Sequence, residues 1–598
     1  MELNSMSSSP EASGRFFRRI DWIAFWSALV ISFGIYAYTQ APTVTMEDCG
    51  ELSVGGDWAG VPHPPGYPIW SMLGWVFARV FSFVTFRGQP NPAWSIAFMS
   101  VVFGALATGI TAMLICRSGK DILRRFRQDS GMPDDDDPTE RLICCISGVV
   151  ASLLFALTPA MWSQAVIVEI YTLNAFFLVF LFLLTYRWMY QPTDRLLYVI
   201  AFVFGVSLAH YYTLLLAAVP LVVVMLLKDI RLFRDGVIIG IPYAIGFGLW
   251  WFGQLPSIPS PNSAICYIYL SLNFLILLMA YFLLPRGKVL ATAILLAQLG
   301  TAFYLYMPLS SDLRNPPINW GYPRTWQGFL HAVSRGQYEK FTPEDIFSLD
   351  FLDKVGFYFS DLRLQFALLP ALIGFLTFTN WQISIGQRRL RALPLALGFA
   401  ATAVVFELLE EFVIGGNANL FKLFTVAVML LVGIGGMVLL IGQAMQLAVR
   451  MTGKLESTAL HERITIGLMF VGLTGGYGLF VKQLAGKLAI VIQPLRQGGV
   501  AFEPGQVSTI LMQAAGIVIL AAAPIIAAIL IGWLMRRETS LEMAIDDNSQ
   551  KWLIATLSGF AMLSVTIIVL ASPKGDIQDN FIQKVKFINS HNLYSLWI

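Results

Sequence analysis

Apolar residues occur along this chain in long blocks that are separated by short polar loops. Blocks of roughly 18 to 25 residues are long enough to cross the hydrocarbon core of a bilayer as α-helices. The pattern predicts about fifteen such helices and therefore an all-α integral membrane protein. The predicted spans lie near 20–39, 94–116, 142–160, 172–188, 196–210, 212–227, 236–253, 264–284, 288–308, 363–380, 391–412, 421–445, 464–481, 509–535 and 552–571.

The apolar segment 69–86 decides the orientation of the chain in the membrane. If this segment crossed the bilayer, the cluster of Lys and Arg at 117–127 would lie outside, against the positive-inside rule. We therefore expect 69–86 to lie along the membrane interface as an amphipathic helix. Residues 40–93 then form one external loop.

The remaining loops fit this orientation. Arginines precede the first span, so residues 1–19 are predicted to be a cytoplasmic N-terminus with an uncleaved anchor. Segment 196–227 is read as a hairpin of two short helices, with its tip near 210–212 outside, and the polar tail 572–598 is expected to be loosely ordered. Further cationic loops are predicted inside near 187–195, 228–234, 286–288, 388–391, 450–463 and 536–537.

Composition supports membrane residence and excludes a soluble globule. Hydrophobic residues make up 56% of the 598 residues, and charged residues make up 13%, about half the usual share in soluble proteins. Mean hydropathy is +0.66. The net charge of +3 gives no sign of nucleic-acid binding, and five cysteines in or beside apolar runs are expected to be packing residues.

The first external loop contains carboxylates and no Lys or Arg between residues 43 and 68. If a helical turn begins at Asp48, then Asp48 and Glu51 lie on one face of it. Such a pair has two chemical uses: repulsion makes one carboxylate a better general base, or both hold a hard divalent cation through oxygen. A solvated loop with helix-capping acids fits the composition as well, so these alternatives stay open.

The segment HPPGYP at 63–68 follows in the same loop. Prolines fix the backbone and glycine permits a sharp turn, so this segment is predicted to hold the loop stiffly against the membrane face.

The string MEDCGELSVGGDWAGVPHPPGYPIW at 46–70 resembles the signature of a GT-C-type membrane glycosyltransferase family. This family is related to a eukaryotic protein O-mannosyltransferase of the secretory pathway. The resemblance is carried by Asp48, Gly50, Glu51 and the segment 63–68.

Further segments resemble motifs of the same family: EIYTLN at 169–174, GVSLAH at 205–210, NPPINWG at 315–321 and SRGQY at 334–338. The resemblance covers roughly residues 20–345, which leaves 346–571 as a less diagnostic C-terminal transmembrane region. One position departs from the family pattern, because Ser310 and Ser311 stand where an arginine is expected, and Arg314 is the nearest cation.

The resemblance implies a GT-C-like helical bundle and an inverting sugar transfer at the external face. Asp48 is implied as the base and Glu51 as its partner, with no assigned metal site, although a divalent metal remains possible as a cofactor. Arg314 and Arg335 are the implied partners of the lipid phosphate. The other candidate substrate-binding residues are His63, Tyr67, Glu169, Tyr171, His210, Asn319, Trp320 and Tyr338.

The implied donor is a polyprenyl-phosphate sugar, and the eukaryotic relative suggests mannose as the sugar. The implied acceptor is a hydroxyl group of a protein, lipid or glycan, and the bilayer is the third partner. The expected location is a bacterial cytoplasmic membrane with the site outside. Two alternatives stay open at the level of sequence: a non-enzymatic secondary transporter or lipid flippase, and a glycan polymerase or ligase. A transporter would place ionisable residues near the bilayer midplane, whereas here acids cluster in the first loop.

Overall fold

The computed structural model describes residues 16–129, 138–251, 261, 263–336, 349–367, 370, 383–385, 388–390, 548–571 and 584–598. The predicted spans between 391 and 535, and most of the one near 363–380, lie outside the described residues.

Seven helices in the described part are long and apolar enough to cross a membrane. The prediction of an all-α, multi-pass membrane protein is therefore confirmed, while the total of about fifteen spans stays a prediction. The seven are Arg19–Thr39, Pro92–Arg124, Pro138–Ala156, Tyr171–Tyr190, Ala264–Leu283, Gly287–Leu313 and Asn548–Leu570.

The first part of the chain forms eight helices and a short hairpin, and two of the helices and the hairpin lie within the loop that carries the carboxylates. The helices are α1 (Arg19–Thr39), α2 (Cys49–Asp57), α3 (Pro68–Val80), α4 (Pro92–Asp129), α5 (Pro138–Ala156), α6 (Pro159–Ala165), α7 (Tyr171–Tyr190) and α8 (Asp194–Leu208). The hairpin pairs β1 (Thr85–Phe86) with β2 (Gln89–Pro90) in antiparallel register.

The later described elements are α9 (Ala218–Lys228), α10 (Ile230–Trp251), α11 (Ala264–Leu283), α12 (Gly287–Thr301), α13 (Tyr306–Leu313), α14 (Trp326–Val333), α15 (Leu349–Phe366), α16 (Asn548–Ala561), α17 (Ile567–Ala571) and α18 (Ile588–Ser595). Short 3₁₀ turns cover Tyr212–Ala217, Ala302–Leu305 and Val585–Phe587, and a π-helical turn covers Met562–Thr566. A second antiparallel hairpin pairs β3 (Ile383–Ile385) with β4 (Arg388–Leu390).

Helices α1 and α4 run antiparallel and form the spine of the bundle. At one end Arg18 donates a hydrogen bond to the Cys116 carbonyl at 2.9 Å, and at the other Gln40 donates to the Trp94 carbonyl at 2.7 Å. Between these bonds Gly109 packs against Phe25 closely enough that a Cβ would lie 3.0 Å from the ring. Small residues at such crossings permit the close backbone approach on which helix packing in membranes depends.

The cationic loops gather at one end of the described bundle, away from the first loop. Arg117 pairs with Asp121 at 3.0 Å, and Tyr190 at the end of α7 donates to the same carboxylate at 2.6 Å. Four residues further on, Asp194 at the start of α8 pairs with Arg286 at 3.1 Å. This arrangement agrees with the orientation predicted from charge.

Helix α3 occupies the apolar segment that decided the predicted orientation. Its 13 residues extend for about 20 Å, well short of the roughly 30 Å hydrocarbon core. A Cβ added at Gly74, on the buried face of α3, would lie 3.3 Å from the Gly56 Cα, while Val76 and Val80 are exposed. The length and two-sided character of α3 agree with a helix that lies along the interface.

The expectation of a loosely ordered tail is wrong for residues 584–598. Every residue of α18 is buried, including Asn592 and Ser590. Two of its polar side chains have hydrogen-bond partners in the bundle: Thr111 donates to Asn592 Oδ1 at 3.1 Å, and Tyr358 donates to Ser590 Oγ at 2.9 Å.

The crossing of α8 and α12 leads to a test of this packing. A Cβ added at Gly205 would lie only 2.0 Å from the Ala297 carbonyl oxygen. We expect Gly205→Ala to destabilise the protein by about 1–3 kcal/mol, as overpacking does, and to lower the thermal midpoint in detergent. Gly240→Ala in α10 is the matched control, because nothing lies within 4 Å of its Cβ position. Equal midpoints for the two variants would contradict this packing.

Candidate active site

The two acids of the first loop are brought together by the start of α2. Asp48 is the N-cap residue of this helix and Glu51 lies in its first turn, so the predicted helical turn is confirmed. Glu47, just before the cap, has a left-handed backbone with φ 63°, a conformation that is uncommon for a residue with a side chain. The turn at Glu47 redirects the chain after α1 and presents both acids on the same side.

The imidazole of His63 lies between the two carboxylates. Its Nδ1 is 3.3 Å from Glu51 Oε2, and its Nε2 is 3.8 Å from Asp48 Oδ2. The backbone N–H of His63 also donates to Glu51 Oε1 at 2.6 Å. The Tyr67 hydroxyl completes the surroundings of the ring at 3.0 Å from Nε2.

The HPPGYP segment places His63 by a tight turn at the start of α3. The Gly66 N–H donates to the His63 carbonyl at 2.9 Å, and the φ of Gly66 is +88°. The positive φ favours glycine at this position, and a Cβ there would also displace the flexible Met307 methyl group, from which it would lie 2.6 Å. Pro68 then occupies the first turn of α3, where its missing N–H costs no hydrogen bond.

The NPPINWG segment joins the same site through backbone pairing. The Val61 N–H donates to the Ile318 carbonyl at 2.9 Å, and the Trp320 N–H donates to the Val61 carbonyl at 3.0 Å. The Trp320 side chain is 41% exposed and adjoins Glu51, where it helps to lower the pKa of that carboxyl. Two motifs that are about 250 residues apart in the chain therefore form one surface.

The three acids nearest the turn differ in their electrostatic environment. Burial by itself would raise the pKa of Glu51, but the hydrogen bonds and charge of His63 outweigh it and hold the pKa below the ordinary value. Burial raises the pKa of Glu47, and the neighbouring charge of Asp48 adds to this effect. The Asp48 side chain is 61% exposed, which makes it the accessible carboxylate of the group.

The candidate substrate-binding residue Glu169 is buried. Its side chain is 4% exposed, and its backbone carbonyl accepts hydrogen bonds from Trp70 Nε1 at 3.1 Å and Ser100 Oγ at 3.2 Å. Burial raises the pKa of Glu169 to about 8, and the charges of Asp48 and Glu47 act in the same direction. Burial therefore favours the protonated form of Glu169.

An aromatic cluster forms the floor of the site. The ring centroid of Tyr211 lies 5.9 Å from Tyr67 and 6.3 Å from Tyr171. His210 is fully buried, and its Nε2 lies 3.2 Å from the Ile170 carbonyl oxygen. The hairpin tip predicted from the sequence therefore lies at the same end of the bundle as Asp48.

The two candidate cations lie at different places. Arg335 donates from Nη1 to the Tyr212 hydroxyl at 2.6 Å, and Tyr212 packs against Tyr211 at 5.3 Å, so Arg335 adjoins the aromatic floor. Arg314 instead lies over the Trp75 ring at 5.5 Å, on α3.

Asn319 and Tyr338 complete the predicted set. Asn319 pairs with Val61 through an isolated bridge, and its side-chain amide contacts Asn315 Oδ1 at 3.4 Å. Tyr338 lies outside the described residues.

Sequence reasoning missed Gln164, whose side chain is 1% exposed and donates to Glu47 Oε2 at 3.3 Å. A single glutamine on a helix of seven residues carries no sequence signal, and only tertiary contact reveals its role. Among the described residues, no group of three or more His, Cys, Asp or Glu side chains is arranged to hold a metal ion.

Glu169 generates a prediction about pH. Its pKa is about 8 in the folded protein against an ordinary 4.5, so between these values the folded state holds a proton that the unfolded state has lost. Stability from this group is therefore lost as pH rises through that window. As the pH rises through this window, we expect the thermal midpoint in detergent to fall by a few degrees more in the wild type than in Glu169→Gln. Glu140→Gln, at the far end of the bundle, should fall with the wild type, and parallel curves for all three would contradict the burial effect.

Comparison with known proteins shows what this part of the chain is similar to. Residues 48–233 match the family described as "Protein O-mannosyl-transferase TMEM260 N-terminal domain". The chain is 22% identical over 360 residues to "Protein O-mannosyl-transferase tmem260" of Dictyostelium discoideum, covering 57% of this chain and 35% of the relative. It is also 22% identical over 316 residues to "Protein O-mannosyl-transferase TMEM260" of Mus musculus, covering 52% and 33% respectively.

The chain spans about a third of the length of these curated relatives. No solved structure matches it significantly, and the GT-C-like arrangement of the bundle stays a prediction. The matched region begins at Asp48 and includes His63, Glu169 and His210, which are the residues that carried the expected resemblance. That resemblance is confirmed: residues 48–233 of this chain are similar to the N-terminal domain of protein O-mannosyl-transferase TMEM260, and the chain is similar to the two named relatives.

Proposed function

We propose that this chain is a membrane glycosyltransferase that moves a sugar from a polyprenyl-phosphate carrier to an acceptor hydroxyl, with inversion at the anomeric carbon. The observation that carries the proposal is the exposed Asp48 carboxylate, backed by His63 and Glu51. The names of the relatives support mannose as the sugar and a protein hydroxyl as the acceptor.

Asp48 acts as the general base in this proposal. The acceptor oxygen attacks the anomeric carbon while its proton passes to Asp48, and the bond between that carbon and the phosphate oxygen breaks with its electron pair on the phosphate. The transition state resembles an oxocarbenium ion, as in glycoside hydrolysis. Asp48 suits the role because it is the accessible carboxylate of the group and lies 3.8 Å from the His63 imidazole.

Glu51 and His63 orient the base. The low pKa of Glu51 keeps it ionised, so it is a poor proton acceptor and a good fixed partner for the ring of His63. The ring in turn lies against Asp48, an arrangement in which a base is held by a second group that is itself oriented by a third. Trp320, exposed beside Glu51, offers a flat surface for a sugar ring.

The lipid phosphate is assigned to Arg335. A guanidinium can bind phosphate through two parallel hydrogen bonds. The Arg335 guanidinium contacts the aromatic floor of the site through the Tyr212 hydroxyl. Arg314 is the weaker candidate because its guanidinium lies over Trp75, on the interfacial helix. When Glu169 is protonated, it carries no negative charge that would repel the departing phosphate.

We propose that the site faces the exterior of a bacterial cytoplasmic membrane. The external orientation is supported by the cationic loops, which lie at the opposite end of the described bundle. A secondary transporter would need ionisable groups along a path near the bilayer midplane. The carboxylates Glu47, Asp48 and Glu51 instead gather at one end, which favours the transferase.

The direct test uses purified protein with polyprenyl-phosphate mannose and a Ser/Thr-containing acceptor, and measures release of polyprenyl phosphate. We expect Asp48→Asn to reduce the rate by about 10²–10⁴, the usual contribution of a general base. Asp57→Asn is the matched control, because this acid of the same loop is occupied by Arg79 at 2.8 Å. Full turnover by Asp48→Asn would remove Asp48 from the mechanism.

Dependence on a divalent metal separates the two uses of the first-loop carboxylates. His63 lies 3.3 Å from Glu51 and 3.8 Å from Asp48, in the space that a bridging cation would need. We therefore expect release of polyprenyl phosphate to persist in EDTA at about the untreated rate. Loss of activity that added Mg²⁺ or Mn²⁺ restores would instead assign the pair to a metal.

A further inference from the structure

Helix α6 supports the chain segment that leads from α1 to the first-loop acids. The Trp162 indole N–H donates to the Thr39 hydroxyl at 3.0 Å, at the end of α1. Directly after α6, the Val166 carbonyl accepts a hydrogen bond from the Ala41 N–H at 2.9 Å. The start of the loop therefore rests on α6 and the residue that follows it.

The support continues to the residue before Asp48. Gln164 of α6 donates from its side-chain amide to Glu47 Oε2 at 3.3 Å. Glu47 has the left-handed backbone that turns the chain toward α2, and such a conformation persists only when its surroundings hold it. A shift of α6 would consequently reach Asp48 through Gln164 and Glu47.

Helix α6 is itself held from the C-terminal half of the chain. The Ala160 N–H, in the first turn of α6, donates to Gln365 Oε1 of α15 at 2.9 Å. First-turn N–H groups have no partner within their own helix, so this bond caps α6 from a different element. Gln365 is 8% exposed, which makes the bond a buried one.

The orientation of the Gln365 amide is set by Asp361, one turn earlier on α15. Gln365 Nε2 donates to Asp361 Oδ1 at 3.0 Å, and because a carboxylate only accepts, the amide oxygen is directed to Ala160. Asp361 is fully buried and faces two groups from the C-terminal segment, Lys584 Nζ at 3.8 Å and His591 Nε2 at 3.5 Å.

We propose that Gln365, oriented by Asp361, is a positioning residue for the transfer reaction that fixes α6 and, through Gln164, the Glu47–Asp48 segment. Segments 349–366 and 584–598 then belong to the catalytic unit, although the family match ends at residue 233. This inference rests on the proposed function for its kinetic test, but its structural test does not require activity.

The kinetic test replaces Gln365 in the full-length protein. Gln365→Leu removes both hydrogen bonds, and we expect kcat for polyprenyl-phosphate release to fall by about tenfold or more, with little change in the KM for the donor, because the base is displaced while the donor contacts remain.

Gln365→Glu supplies a pH-dependent rescue. When protonated, the new carboxyl group donates to Asp361 and accepts from Ala160, as the amide does. When both groups ionise, they repel each other across one helical turn. We expect this variant to approach wild-type kcat near pH 6 and to lose it, relative to wild type, as pH rises to about 8.5. Lys584 and His591 face Asp361 in both proteins, so their titration is common to the two profiles.

The structural test uses Cys49, which is fully buried and accepts a hydrogen bond from the Thr45 hydroxyl at 2.9 Å. If α6 fixes this segment, then Gln365→Leu and Gln164→Ala should each raise the rate of Cys49 alkylation by a maleimide by about tenfold, measured by mass spectrometry of the Cys49 peptide. Tyr358→Phe is the matched control, since it removes a buried hydrogen bond to Ser590 from the same C-terminal packing without touching α6.

Faster alkylation in both test variants, with the control unchanged, supports the positioning role. Unchanged alkylation and kcat in Gln365→Leu would overturn it, and so would an equal effect of Tyr358→Phe, which would indicate general loosening of the C-terminal packing. Should the Leu variant fail to fold, a Gln365→Glu pH profile parallel to that of wild type would overturn it as well. A wild-type protein that protects Cys49 but releases no polyprenyl phosphate would refute the proposed function alone.

Discussion

The contact of His63 with Glu51 and Asp48 is the interaction on which the candidate site depends. Glu51 receives both a backbone and a ring contact from His63, so one residue fixes the turn and the charge of its neighbour together. The desolvation free energy of a carboxylate held in this way is small, because its partner is adjacent and the site opens to solvent at Asp48. The remaining elements serve to keep this triad at the end of the bundle.

The triad is held in place by backbone pairing and by close packing of small residues. Val61 pairs with the segment around Asn319, so the first and later loops share one surface. Gly205 permits an approach to the Ala297 carbonyl that a side chain would block, and Gly66 supplies the positive φ of the turn after His63. The geometry of the site is consequently a property of several distant segments, and the C-terminal packing at α15 and α18 extends this dependence beyond the family match.

The sequence anticipated a considerable part of this arrangement. The helical turn at Asp48, a helix in the 69–86 segment too short to span the bilayer and the end of α8 near His210 followed from spacing, charge and length, which act locally. The burial of Glu169 and the order of residues 584–598 did not follow, since both depend on which groups surround a polar side chain. Gln164 and Gln365 were not recognised because each acts through one long-range hydrogen bond.

The sequence by itself determined that this is a membrane protein, which way its cationic loops lie relative to its acids, and which family its first loop resembles. Hydropathy, charge and motif spacing are properties of the local sequence and do not depend on contacts between distant segments. The tertiary structure alone decided that His63 stands between Asp48 and Glu51, that Glu169 is buried with a raised pKa, and that α18 packs against α15. These properties depend on distance and desolvation, which arise only when remote segments meet in the fold.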